Sequence, residues 1–368
     1  MNNLDGIKAV LLIHWLMQEP LKDLVTNRNF RSCFRLLEGL LEYWLWAEPG
    51  KQHCYGNRAL NSPGDFQVGS GDTGTAVNGL YQYYRGSCSR AGLLDAQWTL
   101  EPQVASAMTR AWSYDATHVL LPELKRVLEG KSRPYQPKQL LNGAVPLDAV
   151  LRKVFSSTAL TSLLQAQLLG SSAQVALAKH CAEIARQKVN GTAHTVAELL
   201  RRLRSSSNAA SVLLPSLIRI EHCEQFLVVL QNSFDLLRAL DRHTVVDAAN
   251  RLEPHRTAHK AKAERFIALF SAHCNERDGQ LAKLAEHLSQ GKPQAFLEEM
   301  VRHHQRLVKE RGAEPLLTID EGKTVSPLGE DRPLSEVQLR LESNTHWNNG
   351  YYLSAVAAIH HQLFGEAA

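Results

Sequence analysis

The sequence predicts a mainly α, two-domain protein whose C-terminal part is a multi-helix bundle or array, with one small β-hairpin near 316–328. Three observations carry this reading. Apolar residues recur three and four positions apart along most of the chain. Strand-like patterns are confined to a single short stretch late in the sequence. A break containing three prolines, GKSRPYQPKQLLNGAVP at 130–146, divides the helical patterns into two groups.

The first group begins with AVLLIHWLM at 9–17, inside a helical pattern at 4–18. No basic region precedes it, Lys8, His14 and Glu19 lie in or beside it, and no small-residue cleavage site follows, so it reads as a core helix rather than a leader. The clearest helix is NFRSCFRLLEGLLEYWLW at 29–46. There Phe30, Cys33, Phe34, Leu37, Leu40, Leu41 and Trp44 make an apolar stripe, and Arg31, Arg35, Glu38 and Glu42 are expected opposite it in solvent. Residues 51–74 are polar and Gly-rich, long for a connection within a compact domain. Helical patterns resume at 74–90, 101–113 and 115–129. The expected organisation is an N-terminal helical domain over 1–130, a linker over 131–146 and a helical bundle over 147–368.

Beyond the break the helical patterns lengthen, at 147–169, 172–189, 194–205, 210–241, 243–252, 256–277, 279–290 and 293–311. In the longest, Ile220, Cys223, Leu227, Leu230, Phe234 and Leu237 follow one another three and four apart, which suits a bundle or stacked array. Residues 313–334 interrupt the trend as an insertion, with LLTID and TVSPL flanking a Glu-Gly turn. Two terminal helical stretches follow.

Composition bounds the function classes. The chain has 368 residues, 44% hydrophobic and 21% charged, which is the make-up of a folded globular protein. Basic residues number 41 against 37 acidic, an excess that permits an anionic partner without requiring one. Six cysteines without a CxxC pair point to a reducing, cytoplasmic compartment and not to a disulfide framework. No run is long enough to span a bilayer.

Five patterns could carry chemistry. Gly69-Ser70-Gly71-Asp72-Thr73-Gly74 fits the spacing of a phosphate-cradling loop, but no buried strand leads into it, so the 64–74 loop is at most a holder for an anionic ligand. His-Cys occurs at 53–54, 180–181, 222–223 and 273–274, where 16 histidines and 6 cysteines would give roughly a quarter of one pair by chance. Cys181, Cys223 and Cys274 nevertheless fall on apolar stripes, so packing is expected and no metal site. His255 and His259 stand four apart, yet Arg251, Arg256, Lys260, Lys262 and Arg265 surround them and favour phosphate over a cation. With Arg201, Arg202 and Arg204, and with Arg302, Arg306 and Lys309, these form three basic segments that are candidate nucleic-acid contacts. Glu321-Gly322-Lys323 resembles part of a nuclease motif but lacks a partner aspartate on a preceding strand. Finally, Tyr81, Tyr83, Tyr84 and Arg85, and Trp347, Tyr351 and Tyr352, have the composition of interface residues.

No catalytic constellation and no cofactor motif stands out. The expectation is a non-catalytic accessory or scaffold subunit of a larger cytoplasmic complex, binding a protein partner through helical surfaces. The alternatives are a nucleic-acid-binding component of a DNA-handling or phage-defence assembly, and an enzyme using the 64–74 loop.

Overall fold

The computed structural model describes residues 3–47, 60, 67–69, 79–112, 117–130, 147–186, 196–205, 210–270, 276–330, 332–343 and 353–364. In chain order the elements are α1 (Leu4–Gln18), α2 (Phe30–Ala47), a π-helical turn (Leu80–Tyr84) continuing into α3 (Arg85–Arg90), α4 (Pro102–Ala111), α5 (Thr117–Leu128), α6 (Leu147–Phe155), α7 (Thr158–Leu168), α8 (Ser172–Arg186), α9 (Val196–Ser205), α10 (Ala210–Ala239), α11 (Val245–Leu252), α12 (Arg256–Phe270), α13 (Glu276–Ser289), α14 (Pro293–Glu310), β1 (Thr318–Asp320), β2 (Lys323–Val325), α15 (Leu334–Ser343) and α16 (Leu353–Phe364). The fold is mainly α with one small hairpin. Among the described residues no helix is long and apolar enough to cross a membrane.

Two compact units form, 1–192 together with 352–368, and 193–351. In the first, α1 is the central helix. Every residue from Gly6 to Met17 is buried, including Lys8 and His14. A helix apolar on all sides belongs inside a domain rather than at its surface. Of the polar residues it buries, Lys8 donates from Nζ to the Phe155 carbonyl at 2.7 Å. The stripe of α2 packs on α1 as its spacing predicts, with Phe34, Leu37, Leu41 and Trp44 all buried. The opposite face departs from expectation. Glu38 and Glu42 are both 0% exposed, because α2 is also covered on that side by the turn Leu80–Tyr84 and by α5.

The helices predicted beyond the proline-rich break do not all belong to one bundle. Leu147, Leu151, Val154, Phe155, Leu160 and Leu164 join the same core as α1 and α2, with the Phe155 ring 4.7 Å from that of Trp44. The units part after Thr192, and α16 returns to pack on α8. Prolines between helices mark a connection but not which core each helix faces. The 131–146 segment lies outside the described residues.

In the second unit α10 is the spine, with α9, α12 and α15 packed along it. Its core joins Phe226 to Phe266, whose ring centroids are 4.7 Å apart, with Leu237, Leu252, Phe296 and Leu297. Thr244 opens α11 through a capping box with Asp247. The hairpin is antiparallel, with Ile319 opposite Thr324. Its two turn residues, Glu321 and Gly322, have φ of 47° and 77°, the left-handed pair that a two-residue turn matched to strand twist requires. On its other edge β2 bonds the chain entering α11, Thr324 N donating to the His243 carbonyl at 2.9 Å.

Candidate functional site

Among the described residues of the first unit, charged and aromatic side chains gather where α2, the π-turn with α3, and the loop 94–100 meet. A π-turn shifts the helical ladder by one residue and frees backbone groups for other partners. Here the Tyr81 amide donates to Oε1 of buried Glu38 at 2.9 Å. Glu38 Oε2 lies 3.6 Å from Arg31 Nη1, an ion pair too long to be a hydrogen bond. Burial raises the Glu38 carboxyl to about 7, against the Tyr81 amide and Arg31, which favour its ionised form.

Two guanidiniums share the Tyr81 ring. Arg31 stands 3.9 Å from its centroid and Arg85 4.7 Å. Arg85 is also 3.9 Å from the Trp98 ring and 5.2 Å from that of Phe30, so it is held by three aromatic faces. Trp98 adopts φ of 64°, costly for a bulky residue. The side chain of Gln18 fixes it: Nε2 donates to the Trp98 carbonyl at 2.9 Å and Oε1 accepts from Leu100 N at 3.0 Å. Asp95 Oδ1 closes the same loop by accepting from the amides of Gln97 and Thr99. Burial lowers the Arg85 guanidinium from its ordinary value, Arg31 works in the same direction and Tyr81 opposes it. Among the described residues no carboxylate forms an ion pair with Arg85.

Beneath this shelf lies His14, 0% exposed and packed edge-on against Phe34 at 5.7 Å between centroids. Neither ring nitrogen has a hydrogen-bond partner of ordinary geometry. Burial and then Arg85 lower it to about 3, with the Trp98 carbonyl acting weakly the other way, so the ring is neutral. The cluster can hold a neutral base and a half-ionisable acid below the surface and present two planar cations above them. Arg31 keeps 43% of its side chain exposed.

The residues singled out from sequence divide sharply. Tyr81 and Arg85 form this shelf, and Tyr83 stands exposed on the outer face of the same helical segment. Tyr84 belongs to the core instead. It is 2% exposed and abuts Gly6, on the same buried face as Leu80 and Cys88. Trp347, Tyr351 and Tyr352 lie outside the described residues, as do Ser70–Gly74 and the pairs at 53–54 and 273–274. Val68, just before the glycine motif, is buried against Gly39 of α2. Cys181 is buried and its thiol raised to about 12 by that burial. Among the described residues no three His, Cys, Asp or Glu side chains could hold a metal ion. Glu321 and Lys323 occupy the exposed hairpin tip.

The basic segments are largely balanced by their own neighbours. Arg201 and Arg202 both bond Glu198, at 2.6 and 2.7 Å. Arg204 pairs with Glu221, Arg256 with Glu253, Lys260 with Glu264 and Arg302 with Glu299. Arg265 donates to Gln225 and Arg306 to His303. Lys262 is partly buried, which lowers its ammonium from the ordinary value. Arg251 is half-buried on α11, and Lys309 is exposed in the last turn of α14. Arg204 and Arg265 meet α10 one turn apart, at Glu221 and Gln225. The helix of the third segment meets α10 at Phe234, through His304, roughly 14–20 Å further along at 1.5 Å per residue. The helix of the third segment, α14, also packs against α11, which carries Arg251 of the second.

Sequence reasoning missed Arg31, Glu38, His14 and Trp98. His14 within an otherwise apolar run was the one visible signal. Trp98 had none, since its position depends on a loop conformation with positive φ.

No protein-family model, curated protein or solved structure matches this chain.

Proposed function

We propose that this protein is a non-catalytic subunit of a larger cytoplasmic assembly and that it binds a protein partner through the Arg31–Tyr81–Arg85–Trp98 face. The supporting observation is the immobilised guanidinium of Arg85, seated among three aromatic rings with no carboxylate beside it among the described residues. Arginine, tyrosine and tryptophan dominate the energetics of protein interfaces. A side chain already ordered loses little further entropy on binding. Tyr83, 53% exposed, extends the same composition outward. The test is affinity capture from the native cell with wild type and Arg85→Ala. A stoichiometric protein partner lost with Arg85→Ala supports the reading. Equal recovery with both sinks it.

Nucleic-acid binding is the second reading, favoured by the approach of Arg204 and Arg265 to one stretch of α10. Its phosphate contacts would weaken steeply with salt. A polarisation titration showing no DNA or RNA affinity at low salt removes it.

A further inference from the structure

We infer that the outer edge of β1 receives an extended segment of a protein partner as an added strand, and that this segment alternates apolar and basic residues. The inference stands apart from the Arg31–Tyr81–Arg85–Trp98 face and does not depend on it.

The register of the hairpin fixes which backbone groups are open. Along an antiparallel strand the bonding groups turn alternately to one side and the other. Thr324 of β2 turns outward: its amide donates to the His243 carbonyl at 2.9 Å, and its carbonyl accepts from the Arg242 amide at 2.8 Å. Ile319 stands directly opposite Thr324, so its own amide and carbonyl turn away from β2. The chain at 242–245 closes the β2 side of the ribbon. On the β1 side, among the described residues, no backbone forms a bridge. Ile319 therefore offers one donor and one acceptor in the spacing that another strand supplies. Such edges are commonly blunted by lysine, proline or a bulge; Thr318–Asp320 carries none of these.

The side chains select the occupant. Leu317 and Ile319 face the core of the second unit, so a residue paired with Ile319 shares an apolar face. Thr318 and Asp320 point to the opposite face, and the residues flanking the paired one come beside them. Asp320 and Glu321 are exposed and form no ion pair among the described residues. Lys323, across the hairpin from Asp320, lies on the covered side of the ribbon. A lysine or arginine on the incoming strand would meet Asp320 without displacing an existing pair, whereas an acid there would be repelled. Because β1 has only three residues, main-chain bonds are few and these flanking side chains decide the fit.

Fluorescence polarisation on the full chain tests this with three fluorescein-labelled hexapeptides: alternating lysine and valine, alternating glutamate and valine, and the lysine peptide methylated on its valine nitrogens. The lysine peptide is expected to bind, the glutamate peptide about tenfold or more weaker, and the methylated peptide not at all. Ile319→Pro removes the outward donor and leaves the bonds to β2, so it should weaken the lysine peptide by about tenfold; Ile319→Val should not. Thermal unfolding checks each variant, and if Ile319→Pro does not fold, the methylated peptide on the wild-type chain decides. Methylation keeps the charge, so equal binding of both lysine peptides assigns the affinity to charge alone and overturns the inference. Absence of binding, or equal binding of the glutamate peptide, overturns it as well. Sedimentation velocity should give the same species for wild type and Ile319→Pro; a dimer that dissociates in Ile319→Pro would place a second copy on this edge and overturn the assignment of a separate partner.

Discussion

Gly6 of α1 and Tyr84 of the π-turn are in contact so close that no side chain fits between them. A Cβ placed on Gly6 would stand 2.6 and 2.8 Å from the two ε carbons of the ring. Alanine normally favours a helix interior over glycine by about 1 kcal/mol. Here the clash with a fully buried ring should reverse the sign, and Gly6→Ala is expected to destabilise by about 1–3 kcal/mol net. Urea unfolding measures it. Combining Gly6→Ala with Tyr84→Leu should recover part of the loss, since the smaller residue vacates the space.

The same contact explains how much of the fold was legible. Periodicity located the helices well, because the spacing of α2 or α10 follows from which residues avoid water. It could not show that Glu38 and Glu42 would be covered, since a second layer over the polar face leaves no mark in the spacing. Nor could it reveal the π-turn at Leu80–Tyr84 or that Tyr81 would lie beside two arginines. Which core a helix joins is likewise not written in its spacing: α6 to α8 look no different in sequence from helices of a separate bundle, yet they lie in the first compact unit. Of the candidate site, Tyr81, Tyr83 and Arg85 were readable as interface residues. Arg31, Trp98 and His14 join them through tertiary contacts alone.

Glu38 makes stability fall as pH rises. Its carboxyl is raised to about 7 by burial, so the folded chain holds a proton that the unfolded chain has already released. The stabilising share is fully present below the ordinary carboxylate range and lost as pH climbs through about 7. Over that window the change is on the order of 3 kcal/mol. Glu38→Gln keeps an acceptor for the Tyr81 amide but cannot ionise, and it should flatten the decline. Denaturant titrations across that range will show this; a variant that declines as steeply as wild type argues against it.

His14 acts in the opposite direction. Its imidazole is lowered to about 3, so its share of stability is complete above the ordinary histidine value and is lost as pH falls through that interval. His259 in the second unit, lowered to about 4 by burial and then by His255 and Lys262, contributes with the same sign. Histidine-selective NMR should find the His14 ring still neutral at about pH 5, where exposed imidazoles are protonated. A His14 resonance titrating near 6.5 would contradict its burial.

In the second unit, Arg332 ties the chain after the hairpin to α10. Its Nη1 reaches Asp235 at 2.9 Å and Glu330 at 3.0 Å, and Glu330 in turn bonds Arg238 at 2.7 Å. Removing one member leaves buried carboxylates short of a partner. Arg332→Ala is expected to cost about 2 kcal/mol or more, whereas Arg201→Ala, at a solvated pair, should leave unfolding unchanged. Similar losses from both would mean the network is as water-exposed as the helix faces.

The most direct test of binding through the Arg31–Tyr81–Arg85–Trp98 face is amide hydrogen exchange of the chain alone and in its captured complex. The account predicts new protection concentrated in residues 28–35, 79–90 and 94–100, with little change along α12 and α14. Protection confined to the second unit, with those three segments exchanging as in the free chain, would contradict it.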